Sequence, residues 1–213
     1  MRYSQMLETL GNEVLFSSYL LVVGNTSQYK VQRRLTDWSK AGKLIPLRRG
    51  LYVLPSKKRS FEPHPFLVAN RLVAGSYVSL EIALHYYNLI PEYVAVITSV
   101  TTGRPGEWEN EFGRFAYRHI HSRYFFGIKY HLIVEEQYAY IAYPEKALLD
   151  LIYLRKEGDS PEFIQSLRLQ NLEVLDLVRL QEFADRFDKP KLQRASAVIK
   201  ELALQEKAEY ESL

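Results

Sequence analysis

The chain has 213 residues, 47% of them apolar and 13% aromatic, with 16 tyrosines and 10 phenylalanines; that suits a folded, sheet-rich core and excludes wholesale disorder. It contains no cysteine, which excludes disulfide frameworks and thiolate zinc sites. No apolar run reaches the ~18 residues of a membrane span, and the N-terminus lacks the apolar core of a signal peptide, so a cytoplasmic protein without membrane contact is expected.

The net charge of +3 hides an asymmetry. Residues 1–60 hold eleven Lys/Arg against three Asp/Glu, a balance of +8, whereas residues 61–213 hold 17 against 22, a balance of −5. A basic small unit joined to an acidic larger one points to a polyanion partner for the first part.

In chain order, Ser4 to Leu10 is expected to be a short helix stopped by Gly11. A second helix is expected after Ser17-Ser18, ending at Gly24, and a third over residues 26–40, capped by Asn25 or Thr26 and closed by Gly42. In the third, Val31, Leu35 and Trp38 recur at i, i+4 and i+7 and form the stripe to bury. At ~100° per residue the opposite face carries Thr26, Tyr29, Lys30 and Arg33, with Arg34 on its flank. LIPLRRGLYVLP (Leu44 to Pro55) then reads as a two-stranded hairpin with Arg48 and Arg49 at its tip. The order helix, short helix, turn, longer helix, ribbon is that of a winged helix-turn-helix.

Lys57-Lys58-Arg59-Ser60, followed by a proline-punctuated stretch to Pro65, reads as a linker whose three cations suit a phosphate backbone. The expected division is a DNA-binding domain over 1–58 and a second, larger mixed domain over 59–213. The latter is expected to begin with helices Pro65 to Ala74 and Ser79 to Ile90, the second capped by Ser79. An antiparallel sheet over about 94–143 should follow, from strands 93–101, 114–121, 127–134 and 138–143, with a glycine-rich loop at 102–113. From residue 144 the chain is expected to be helical, with Pro144 at a helix start and further helices near 161–168, 174–187 and 190–208. The overall class is α+β.

Phosphate loops, dinucleotide fingerprints and the GxSxG elbow are absent. His119 and His121 at i, i+2, with His131 on what reads as a neighbouring strand, offer only a weak metal pattern without a placed carboxylate. Glu145, Lys146 and Asp150 raise a nuclease reading, but all three fall within two turns of one helix rather than on adjacent strands. Glu145 is accounted for by the helix dipole and Lys146 by surface exposure. No catalytic constellation is expected, and no metal or cofactor.

AGKLIPLRRGLYVLP (Ala41 to Pro55), SYVSLEIALHYYNLIPE (Ser76 to Glu92), ITSVTTGRPGEWENEFGRFAYRHI (Ile97 to Ile120) and IAYPEKALLDLIYL (Ile141 to Leu154) together resemble the AbiEi family of antitoxins, predicted regulators of bacterial phage-defence operons. The likeness spans about residues 5–155. It implies an N-terminal winged helix-turn-helix that binds operator repeats in double-stranded DNA of its own promoter and represses transcription. It also implies a C-terminal domain that counteracts a nucleotidyltransferase toxin encoded next door. This is a type IV toxin–antitoxin system, in which no stable complex is required. The family carries no agreed catalytic site, so none is transferred and no enzyme activity is expected. The residues expected to meet DNA are Ser27, Gln28, Tyr29, Lys30, Arg33 and Arg34 on the third helix, Arg48 and Arg49 on the hairpin, and Lys57 and Lys58 after it. Two alternatives stand beside this reading: a transcription regulator with no toxin, and a nucleic-acid-processing enzyme of nuclease type.

Overall fold

A computed structural model describes residues 1–22 and 27–211, with side chains of the last helix through Ala208. The fold is α+β, with eight α-helices, one three-stranded antiparallel sheet and one six-stranded mixed sheet among the described residues.

The small sheet comes from β1 (Leu15–Ser17), β2 (Ile45–Arg48) and β3 (Leu51–Val53), in the order β1-β3-β2. Helices α1 (Tyr3–Leu10) and α2 (Gln28–Lys40) cover one face of it. In place of the second helix expected after Ser17-Ser18 stands a single 3-10 turn, Ser18–Leu21, and the residues before it form strand β1, where no strand was expected. Leu15 and Phe16 are both buried, but in different apolar clusters. A strand buried on both faces reads as a continuous apolar run, which periodicity cannot tell from a short helix. The expected helix end at Gly24 and the caps Asn25 and Thr26 lie outside the described residues.

β3 explains how the small sheet is held. Tyr52 and Leu54 join Met6, Leu10, Val31, Leu35 and Trp38 on the helix side. Leu51 and Val53, with Leu47 and Leu15, instead join the large cluster that fills the rest of the molecule. The small sheet is therefore a layer shared by two cores, and apolar contacts cross residue 58.

The large sheet has the order β6-β7-β5-β4-β9-β8, from β4 (Ser76–Val78), β5 (Val96–Thr101), β6 (Gly106–Asn110), β7 (Gly113–His119), β8 (Ile128–Val134) and β9 (Gln137–Ala142). It is mixed, not antiparallel as expected: β5 runs parallel to β7, and β4 parallel to β9. The reason is β6, which falls where a loop was expected. It forms the outer arm of a hairpin with β7, so β7 enters beside β5 in the same direction. Alternating apolar residues set which face a strand buries, not which way it runs.

Helices α3 (Pro65–Leu72) and α4 (Leu80–Tyr86) flank β4, and α5 (Pro144–Leu154) follows β9. Every residue of α5 from Pro144 to Ile152 is buried, as for a helix enclosed on all sides. Around it lie α6 (Pro161–Ser166), α7 (Leu177–Phe187) and α8 (Pro190–Glu211), whose Leu192, Ala195 and Ile199 are buried in the same core.

Candidate nucleic-acid interface

The candidate surface starts from α2. Val31, Leu35 and Trp38 are buried as their spacing requires, and Tyr3 of α1 packs edge-on against Trp38 at 5.4 Å. Gln32 on the flank donates to the Tyr52 hydroxyl at 2.8 Å, tying the helix to β3. With that stripe committed to the core, Ser27, Gln28, Tyr29, Lys30, Arg33 and Arg34 are all exposed, Tyr29 to 74%.

The hairpin turns at Arg49-Gly50, where Gly50 has φ +83°. An L-residue with a side chain is strained there, so the turn calls for glycine. The Gly50 carbonyl accepts from the Ser18 amide at 2.8 Å, which pins the tip to the 3-10 turn. That turn packs against α2, so helix face and hairpin tip are held within one unit. Arg48 and Arg49 are both exposed but differ in setting. Arg48 follows the buried Leu47 and lies near enough to Tyr117 for its charge to oppose the rise that burial imposes on that phenol.

Lys57 and Lys58 sit in a second 3-10 turn, Ser56–Lys58, and are exposed. Lys58 Nζ lies 4.6 Å from the Tyr3 ring centroid and Lys43 Nζ 5.4 Å from it. The structure thus gathers Lys43 and Lys58 around Tyr3, while Ser27 to Arg34 occupy the first half of α2. Arg59, the third cation of the expected linker, is withdrawn. It is paired with Glu62 and Glu111, donates from Nε to the Leu54 carbonyl at 2.6 Å, and its side chain is 3% exposed.

The electrostatics follow from what is missing nearby. All ten Lys/Arg of residues 1–58 are exposed, and among the described residues none is within ion-pair distance of an acid. Ten cations outside ion-pair distance of the unit's three acids, Glu8, Glu13 and Asp37, make a net positive surface.

The second half of the molecule holds polar chemistry of another kind. Lys146 and Asp150 form an ion pair in α5 with both side chains at 0% exposure. Lys146 Nζ also donates to the Tyr77 hydroxyl at 2.8 Å, and Tyr77 and Ser79 both donate to Asp150 Oδ2, at 2.8 and 2.9 Å. Burial lowers the Lys146 pKa while the Asp150 charge opposes that, and burial with the Asp150 charge raises Tyr77. Two expectations are corrected here. Lys146 is buried, not exposed, and Ser79 does not cap α4 but binds a carboxylate; Glu145 stands in the first turn of α5 as expected, is buried, and accepts from the Asp176 amide at 2.7 Å. The signal for the pair was present: a Lys and an Asp at i, i+4 in PEKALLDLIYL, a segment whose only other charged residue is Glu145.

His119 and His131 are not on neighbouring strands, since β5, β4 and β9 separate β7 from β8. His121 lies beyond β7 and its ring accepts from the Arg123 amide. No group of three potential metal ligands occurs among the described residues, and no described helix is long and apolar enough to cross a membrane. Compared with known proteins, the chain matches no protein-family model and no curated sequence.

Proposed function

We propose that the chain is a DNA-binding autorepressor of the AbiEi antitoxin class, its first 58 residues a winged helix-turn-helix with α2 as recognition helix and the β2–β3 hairpin as wing. The observation that carries this reading is the set of ten exposed, unpaired cations on a unit ordered α1, β1, 3-10 turn, α2, β2, β3. An ordinary solvated helix mixes Glu with Lys in comparable numbers; the outward face of α2 has Lys30, Arg33 and Arg34 against the one acid Asp37, with hydrogen-bonding Ser27, Gln28 and Tyr29.

In this mechanism α2 enters the major groove, with Ser27 to Arg33 nearest base edges and phosphates. Arg48 and Arg49 reach the adjacent minor groove or its backbone, and Lys57 and Lys58 contact phosphate. The second domain acts on a nucleotidyltransferase toxin without a stable complex; the order of the four motifs supports this part.

Two experiments test it. Changing Arg48 and Arg49 together to Ala should weaken binding to any duplex and lower the salt slope by roughly one to two. Wild-type-like binding to promoter DNA at every salt concentration would remove the hairpin from the interface. Co-expression with the adjacently encoded toxin should restore growth, and continued arrest sinks the antitoxin role.

A further inference from the structure

We propose that the β8 edge of the large sheet is a homodimer surface, on which β8 pairs antiparallel with β8 of a second copy. The two edges of this sheet are built differently. At the β6 edge, Glu107 and Glu109 face Arg118 and Arg114 of β7, at 3.9 and 3.4 Å. Charge of that kind blunts an edge against pairing. At the other edge Tyr130, Leu132 and Val134 of β8 are exposed beside Tyr138 and Tyr140 of β9. The Tyr130 ring lies 5.1 Å from that of Tyr138 and 4.9 Å from that of Tyr140, so the five side chains form a continuous patch with an aromatic centre. Among the described residues the β8 backbone bonds only to β9. A row of free amides and carbonyls beside an apolar patch is a template for another strand.

Charge identifies that strand as the same one. Lys129, the second residue of β8, is half-buried with its ammonium 5.0 Å from the Tyr87 ring centroid, and the strand runs into the exposed acidic turn Glu135-Glu136. Antiparallel pairing centred on Leu132 brings the Lys129 end of each strand to the acidic turn of the other. It also sets Tyr130 opposite Val134 of the second copy and Leu132 against its own counterpart. The register irregularity between Leu132 and Val134 leaves both exposed. A foreign strand would need its own complementary ends; a second copy has them by symmetry. Such a dimer would carry two cationic units about one dyad, suited to repeated half-sites, but its test uses no DNA and is independent of the function proposed above.

Sedimentation of the full chain should show a concentration-dependent dimer. Leu132→Lys, which sets two ammonium groups on the dyad, should raise the dimer dissociation constant by roughly a hundredfold, with circular dichroism and thermal melt unchanged. If that variant misfolds, the cysteine-free chain offers a second route. Directly opposed antiparallel residues have Cα atoms about 4.5–5.5 Å apart, within disulfide reach. Leu132→Cys should therefore cross-link readily with oxidised glutathione, whereas Leu204→Cys, exposed on α8, should not. A wild-type chain that stays monomeric at every concentration overturns the proposal. So does a folded Leu132→Lys that remains dimeric, or Leu132→Cys that cross-links no faster than Leu204→Cys.

Discussion

The two halves of the molecule treat charge in opposite ways. Before residue 59, ten cations stand in solvent without an acid partner; from Arg59 onward lie all the ion pairs of the described residues, one of them sealed inside α5. The small unit's core is Met6, Leu35, Trp38 and the apolar side chains around them, and its cations stand outside that core, two of them over the Tyr3 ring. In the larger half charge is part of the architecture: Lys146 and Asp150 tie α5 to β4 through Tyr77 and Ser79. Position in the fold, not residue type, decides which lysine is sealed in the core and which stands in solvent.

The strongest way to break this contrast is Asp150→Ala. It leaves the Lys146 ammonium buried without a counter-charge, and removing one partner of a buried pair costs about 3–5 kcal/mol. Denaturant unfolding should show that loss, and Lys146→Met with Asp150→Leu should recover most of it, since an apolar replacement strands no charge. An Asp150→Ala chain as stable as the wild type would mean that the pair is not structural. A smaller effect is expected at the joint between 3-10 turn and hairpin. Gly50→Ala forces a side chain into the left-handed region and should cost about 1–2 kcal/mol, read by the same unfolding curves.

The complementary change is Lys30→Gln, Arg33→Gln and Arg34→Gln together. Surface substitutions of this kind shift stability by no more than about 0.5 kcal/mol. On the proposed reading, duplex binding should weaken at all sequences, with the salt slope falling by about two to three. Unchanged binding in a folded triple variant would leave the face of α2 a solvated surface and no more.

How far this was legible in the sequence depends on the length and period of each element. α2 could be read because Val31, Leu35 and Trp38 repeat over about two turns, and the exposure of Tyr29, Lys30 and Arg33 follows from the same spacing. β1 and β4 have three residues each, too few for a period to register. β6 hides in GEWEN, where glycine and three polar residues read as loop although the strand lies at a sheet edge. Strand direction left no mark, because it is set by how β6 folds back on β7. Lys146 was misread for a physical reason as well: an i, i+4 Lys–Asp pair is usually a surface pair, and only enclosure of α5 on every side excludes that here.

The smallest expected effect tests whether a titratable group of the larger half makes its stability depend on pH near neutrality. His64 lies just past the boundary, caps α3 by accepting from the Phe66 amide at 3.1 Å, and its pKa is lowered from 6.5 by burial. A lowered histidine pKa means that the unfolded chain takes up a proton at a pH where the folded chain does not. Stability from this group is therefore full above 6.5 and falls as the pH drops from 6.5 toward the folded value. The His64 backbone amide is bonded to Gln137 Oε1 on β9 at 2.7 Å, so protonation should loosen the start of α3 against the large sheet and leave α2 and its cations untouched. His64→Asn keeps a cap acceptor but does not titrate. Thermal melts below pH 6.5 should show a shallower decline for this variant than for the wild type, with no difference above it. Equal slopes would place the acid sensitivity elsewhere, His131 being the other histidine with a lowered pKa.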